Sequence, residues 1–88
     1  MQPVVIYTTT ACGYCRRAKA WLAERKVPYR EVDVTGNDAE RAMLVERSGG
    51  MRTVPQIFVG DVHVGGYSDL VALDAAGKFT PLLEVGPT

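Results

Sequence analysis

The chain has few of the devices that hold small proteins together. Its 88 residues include two cysteines, one histidine and one tryptophan. That excludes a disulfide framework and leaves a zinc site of thiolates and imidazoles short of its usual four ligands. No apolar stretch approaches the ~18–20 residues that cross a bilayer. Neither sign of charge is in excess: ten bases balance ten acids, for a formal net charge of +0. General attraction to nucleic acid or to a membrane surface is therefore not expected. Met1-Gln2-Pro3 leads straight into an apolar run with no charged segment and apolar core of an export signal, so the expected location is the cytoplasm. There are no internal repeats, low-complexity tracts or linkers, and the length suits one domain, residues 1–88.

The two cysteines stand in Cys12-Gly13-Tyr14-Cys15. A pair this close closes a tiny loop and constrains the unfolded chain very little. In a reducing compartment such a pair is catalytic or metal-binding rather than structural. The charge balance also hides an asymmetry. Met1 to Arg30 holds six bases (Arg16, Arg17, Lys19, Arg25, Lys26, Arg30) and a single acid, Glu24, whereas the remainder holds four bases and nine acids. The basic end is the end with the cysteines.

Val4-Val5-Ile6-Tyr7-Thr8 is β-branched and apolar, as in a strand covered on both faces. After the small-residue loop Thr9 to Ala11, apolar residues recur with helical period at Tyr14, Ala18, Trp21 and Leu22, until Val27-Pro28 ends the helix. Tyr29 to Val34 reads as a second strand near a sheet edge, because charged residues flank Val32 and Val34. Asn37 can cap a second helix, with Glu40 as its capping-box partner and Ala39, Ala42 and Met43 as its apolar side, and Ser48-Gly49-Gly50 stops it. Gln56 to Val59, the turn Gly60-Asp61 and Val62 to Val64 form a hairpin. Gly65-Gly66 breaks the chain before a helix capped by Ser68 or Asp69, which carries Leu70 and Leu73 and ends at Gly77. Thr80-Pro81 reads as the cap and first position of a short closing helix. The order is β-α-β-α-β-β-α with a helical tail. Its simplest packing is an α/β mixed four-stranded sheet flanked by helices on both faces.

The cysteine pair falls where the first strand hands over to the first helix. Unsatisfied N–H groups and the helix dipole favour an anion there, and Arg16 and Arg17, with Lys19 more diffusely, add positive charge. A thiolate at Cys12 is thus the expected nucleophile, and Cys15, one turn further in, the more buried thiol that resolves a mixed disulfide. The competing reading is half of a zinc site, for which His63 is the one further ligand of that type. Pro55 either opens a strand or forms a cis bond after Val54 that turns the Val54 backbone toward the cysteines. Gly65-Gly66-Tyr67-Ser68-Asp69 is either an ordinary helix start or a carboxylate-binding turn whose Asp69 meets an ammonium group. Trp21 reads as core, His63 as a solvent-facing strand residue, and Arg25-Lys26 as favourable charge at a helix C-terminus.

Taken together, Val-Ile-Tyr-Thr before the motif, Cys12-Gly13-Tyr14-Cys15 with Arg17-Ala18-Lys19, Thr53-Val54-Pro55-Gln56-Ile57-Phe58, and Gly65-Gly66-Tyr67-Ser68-Asp69-Leu70 resemble a glutaredoxin of the small bacterial dithiol type. The resemblance spans nearly the whole chain. It implies a thioredoxin-like fold with a cis proline at Pro55, and reduction of protein disulfides and protein–glutathione mixed disulfides by glutathione. It implies catalytic roles for Cys12 and Cys15. Tyr14, Thr53, Val54 and Pro55, together with Gly66, Tyr67, Ser68 and Asp69, are implied to bind glutathione, the last four at its γ-glutamyl end. A monomer is expected, with no nucleic-acid or membrane partner.

Two positions depart from the family pattern. Thr9 stands where the family often has a lysine for the glycyl carboxylate of glutathione, and Arg52 or Arg16 is expected to supply that charge. Gly13 stands where the commonest motif has proline. Family members lacking that proline can bridge two protomers with a [2Fe–2S] cluster on the first cysteine (here Cys12) and two glutathiones, which leaves a cluster carrier or sensor as the alternative. A redoxin served by thioredoxin reductase is a third reading, disfavoured by Ser68-Asp69 after the double glycine.

Overall fold

β-branched and aromatic residues make Val4–Thr8 a strand, β1, in which every residue but half-buried Val5 is buried. The computed structural model describes residues 1–84. After β1 come α1 (Gly13–Glu24), β2 (Arg30–Asp33), α2 (Asp38–Arg47), β3 (Gln56–Val59), β4 (Val62–Gly65), α3 (Tyr67–Ala75) and α4 (Phe79–Glu84). The strands lie in the order β2-β1-β3-β4. β1 is parallel to β2 and antiparallel to β3, and β3 is antiparallel to β4. The mixed four-stranded sheet is the expected one, and β2 is indeed an edge.

Strand alternation divides the core in two. On one face Val4, Ile6, Ile57 and Val59 pack against Ala18, Trp21 and Leu22 of α1, Leu70 of α3, and Phe79 and Leu83 of α4. The Trp21 ring meets Phe79 edge-on at 5.2 Å, a core role as expected. On the other face Leu44 of α2 covers Tyr7 and Phe58, whose rings are also edge-to-face, 5.7 Å apart. Helices thus cover both faces.

The helix ends differ from expectation in instructive ways. α1 stops at Glu24, short of Val27-Pro28, because Lys26 turns left-handed (φ 57°) and closes a Schellman cap. The Lys26 N–H donates to Ala23 O at 3.0 Å and the Val27 N–H to Leu22 O at 2.9 Å. Arg25 is more than a terminal charge: its guanidinium lies 3.7 Å over the Trp21 ring and 3.9 Å from the Asp74 carboxylate. Asn37 caps α2 as expected, its Oδ1 accepting from Glu40 N at 3.0 Å. The return half of the capping box does not form, since the Asn37 N–H already donates to Val34 O at 3.0 Å. The buried residue of α2 is Leu44, while Ala39, Ala42 and Met43 are exposed. One position along a helix turns the face by about 100°, enough to move the stripe off Met43. The closing helix starts at Phe79 rather than after a Thr80 cap, because the Phe79 side chain is drawn into the core. Pro81 then falls in the first turn, where its missing N–H leaves no bond unmade.

Candidate active site

Cys12 is the N-cap of α1. Its backbone is extended (φ −129°, ψ 109°), and its Sγ accepts a hydrogen bond from Cys15 N at 3.1 Å. The sulfur thus takes the place that a Ser or Asp oxygen fills at other caps. The first turn of α1 contains no acid to oppose an anion. The Arg16 guanidinium lies close by, 3.9 Å from where a Cβ on Gly13 would be, and Arg17 sits 5.3 Å over the Tyr14 ring. Cys15 is 1% exposed while Cys12 is half-buried, and both carry free thiols. Burial pushes the Cys15 thiol up to about 12, helped by its hydrogen bond with Cys12, while a backbone bond with Thr9 and the charge of Lys19 pull the other way. Lys19 is less free than the sequence suggests, because its Nζ is 3.0 Å from Glu31 Oε2. The Thr8 hydroxyl also donates to that oxygen, at 2.7 Å, and these two bonds hold the Glu31 carboxyl below its ordinary range.

Facing the thiols, the Val54–Pro55 peptide is cis. The Cys12 thiol donates to Val54 O at 3.8 Å, so the Val54 carbonyl does point at the cysteine. Next to it is an open cleft of about 200 Å³, whose lining includes Tyr14, Thr53, Val54 and Pro55 together with Gly66, Tyr67, Ser68 and Asp69. All eight residues singled out for ligand binding therefore share one groove. The cap of α3 is Gly66, not Ser68 or Asp69. Asp69 sits in the first turn, and its Oδ2 accepts from Gly66 N at 2.9 Å. Gly65 makes that approach possible: it has φ 114°, and a Cβ on it would stand 2.5 Å from Asp69 Oδ2.

A family model described as Glutaredoxin matches residues 4–64. The chain is 49% identical over 84 residues to Glutaredoxin 3 of Escherichia coli K12, covering 96% of this chain and 100% of that one. It is 51% identical to a glutaredoxin of Pseudomonas aeruginosa, again over 84 residues, covering 96% and 99%. The chain belongs to the glutaredoxin family. Among solved structures, the glutaredoxin of Brucella melitensis superposes with a TM-score of 0.83 at 48% identity, over 100% of this chain and 95% of that one. A buckwheat glutaredoxin solved in complex with glutathione gives 0.83 at 33% identity, over 93% and 76%. The fold is thioredoxin-like, the activity is thiol–disulfide oxidoreduction, and the Cys12–Cys15 pair fits a redox-active centre.

In this glutaredoxin the two arginines expected to replace the missing lysine do not line the cleft. Arg16 stands beside Gly13, and Arg52 borders a separate hollow with Asp38, Arg41, Ala42 and Val45. Met51 and Gln56 do line the cleft, and sequence reasoning missed both. The available signal for Gln56 was a polar residue directly after Pro55 in an otherwise apolar strand. His63 does not simply face solvent. Its ring stacks on Phe58 at 4.9 Å, and its Nε2 is 2.6 Å from Gln56 Oε1. Among the described residues no three His, Cys, Asp or Glu side chains come together as a metal site, and no helix is long and apolar enough to cross a membrane.

Proposed function

We propose that this glutaredoxin reduces protein disulfides and glutathionylated proteins with glutathione, using Cys12 as the attacking sulfur and Cys15 as the resolving one. The observation that carries this reading is the half-buried Cys12 Sγ, capping α1 through the Cys15 N–H at 3.1 Å and lying 3.8 Å from the carbonyl of Val54, which lines the cleft. A helix N-terminus stabilises negative charge on such a sulfur, whereas Cys15 keeps its proton in the interior. The Cys12 thiolate attacks the glutathione sulfur of a mixed disulfide, a Cys12–glutathione disulfide forms, and the substrate thiolate leaves. A second glutathione thiolate then attacks that glutathionyl sulfur, releasing oxidised glutathione and restoring the Cys12 thiolate. With a protein disulfide, the Cys12 thiolate attacks one sulfur and releases the other, giving a mixed disulfide. Cys15 then loses its proton to the departing substrate sulfur and attacks Cys12, so a Cys12–Cys15 disulfide forms as the substrate is reduced, and two glutathiones reduce it in turn.

The cleft supplies recognition. Thr53 and Val54 beside Pro55 align the peptide backbone of glutathione, with Tyr14 along its side. The N-terminus of α3 at Gly66, Tyr67 and Ser68 takes the γ-glutamyl carboxylate, and the remaining oxygen of Asp69 takes its ammonium. The chain works as a single domain and a monomer in the cytoplasm. Turnover of a small glutathione mixed disulfide, coupled to glutathione and its reductase, tests the reading. Cys12→Ser abolishes turnover and Cys15→Ser retains it on glutathionylated substrates; equal loss in both contradicts the assigned roles.

Gly13 keeps a cluster-bridged dimer in view as a second role. One chain offers that cluster only Cys12, so a second copy and two glutathione thiols must supply the other ligands. Purification without oxygen distinguishes the two: a colourless monomer supports the oxidoreductase alone, and a coloured dimer that bleaches in air establishes the carrier.

A further inference from the structure

Gln56 and His63 take no part in the thiol chemistry, yet they form a polar chain, buried at Gln56 and half-buried at His63, that ends in the cleft. Gln56 is 2% exposed and lines the cleft beside Thr53. Its Nε2 donates to Thr53 Oγ1 at 3.2 Å, and its Oε1 stands 2.6 Å from His63 Nε2. A carboxamide oxygen only accepts, so the proton of the second bond belongs to His63 Nε2. That fixes the direction of the whole chain: His63 donates to Gln56, and Gln56 donates to Thr53. The Thr53 oxygen thereby accepts from Gln56, so its hydroxyl proton is not spent on that amide and is left for whatever fills the cleft. Without the His63 donor the amide is free to turn over and present its carbonyl to Thr53. The Thr53 proton would then point inward, away from a ligand. Stacking on Phe58 at 4.9 Å holds the imidazole in place for this task.

We propose that His63 is a positioning residue, which acts through Gln56 to hold the Thr53 hydroxyl as a hydrogen-bond donor to the glutathionyl group of the substrate. The inference rests on the glutathione reading above. Its test uses two substitutions. His63→Phe keeps an aromatic ring on Phe58 and removes the donor; His63→Gln restores a donor. In the coupled assay His63→Phe raises KM for a small glutathione mixed disulfide about two- to tenfold, the net worth of one hydrogen bond, with kcat unchanged. His63→Gln recovers most of that loss. In a Thr53→Val background His63→Phe adds nothing further, because the group it positions is gone. An unchanged KM in His63→Phe, or additive effects of the two substitutions, overturns the proposal. Failure of the glutathione reading looks different, since the unmodified chain then shows no turnover with glutathione. The chain of hydrogen bonds is judged separately by ring ¹⁵N spectra of the free protein. They show the Nε2–H tautomer in the unmodified chain and loss of that preference in Gln56→Leu; an Nδ1–H ring overturns it.

Discussion

Cys12 and Cys15 share one helical turn but occupy different media. Cys12 meets solvent with a main-chain N–H pointed at its sulfur; Cys15 is sealed in the interior, where charge is disfavoured. The pH dependence of stability follows from Cys15. Its folded-state value of about 12 stands above the ordinary 9.0, so the native chain holds this proton longer than the unfolded one. Its contribution is complete below the ordinary value and drains away as pH rises toward the folded one. Urea unfolding of the reduced chain and of Cys15→Ala, each at about pH 8 and about pH 11, reads the effect as a stability gap that narrows with pH. A constant gap contradicts the burial. Gly65→Ala is expected to destabilise by about 1–3 kcal/mol, since it strains a left-handed backbone and drives a Cβ onto Asp69. Thermal melts showing no loss would mean that the turn relaxes freely. The cysteine pair was legible because two thiols at that spacing at a helix start carry the chemistry, whereas the eight cleft residues were named as a set through the motifs that resemble the family. The Gln56–His63 bond was not, because it depends on register across the hairpin. His63 lies opposite Phe58, and Gln56 shares that face two positions away, beside an irregularity between Ile57 and Phe58.

At the scale of elements, the sequence reveals an end where a side chain makes the cap and hides it where the backbone does. Asn37 announced the start of α2, and Asn37→Ala is expected to cost about 1 kcal/mol in chemical denaturation. Lys26 gave no such warning, since nothing in a lysine marks a left-handed residue. Its conformation is one that glycine adopts without penalty, so Lys26→Gly is expected to stabilise the chain by about 1 kcal/mol despite the extra freedom it gives the unfolded state. A lower melting temperature in that variant would show that the lysine makes a contribution beyond the turn. The start of α4 was misplaced because the demand of the core for Phe79 outweighs the local preference of Thr80-Pro81.

Across the whole molecule the two faces of the sheet are unequally held. One face carries α1, α3 and α4 over a large cluster, whereas α2 is anchored on the other by Leu44 over Tyr7 and Phe58. Leu44→Ala is therefore expected to cost about 2–5 kcal/mol, a large part of the ~5–15 kcal/mol typical of a domain. Because α2 contributes no residue to the cleft, the turnover of the molecules still folded should be unaffected. Strand alternation and the βαβ unit made this architecture readable in advance, while the face of α2 that is buried depended on how a single leucine meets the sheet. The measurement that bears most directly on the account is site-resolved alkylation of the reduced protein near neutral pH, followed by mass spectrometry of the peptides. The account predicts that Cys12 is modified first while Cys15 remains free. Modification of Cys15 as fast as Cys12, or faster, contradicts it.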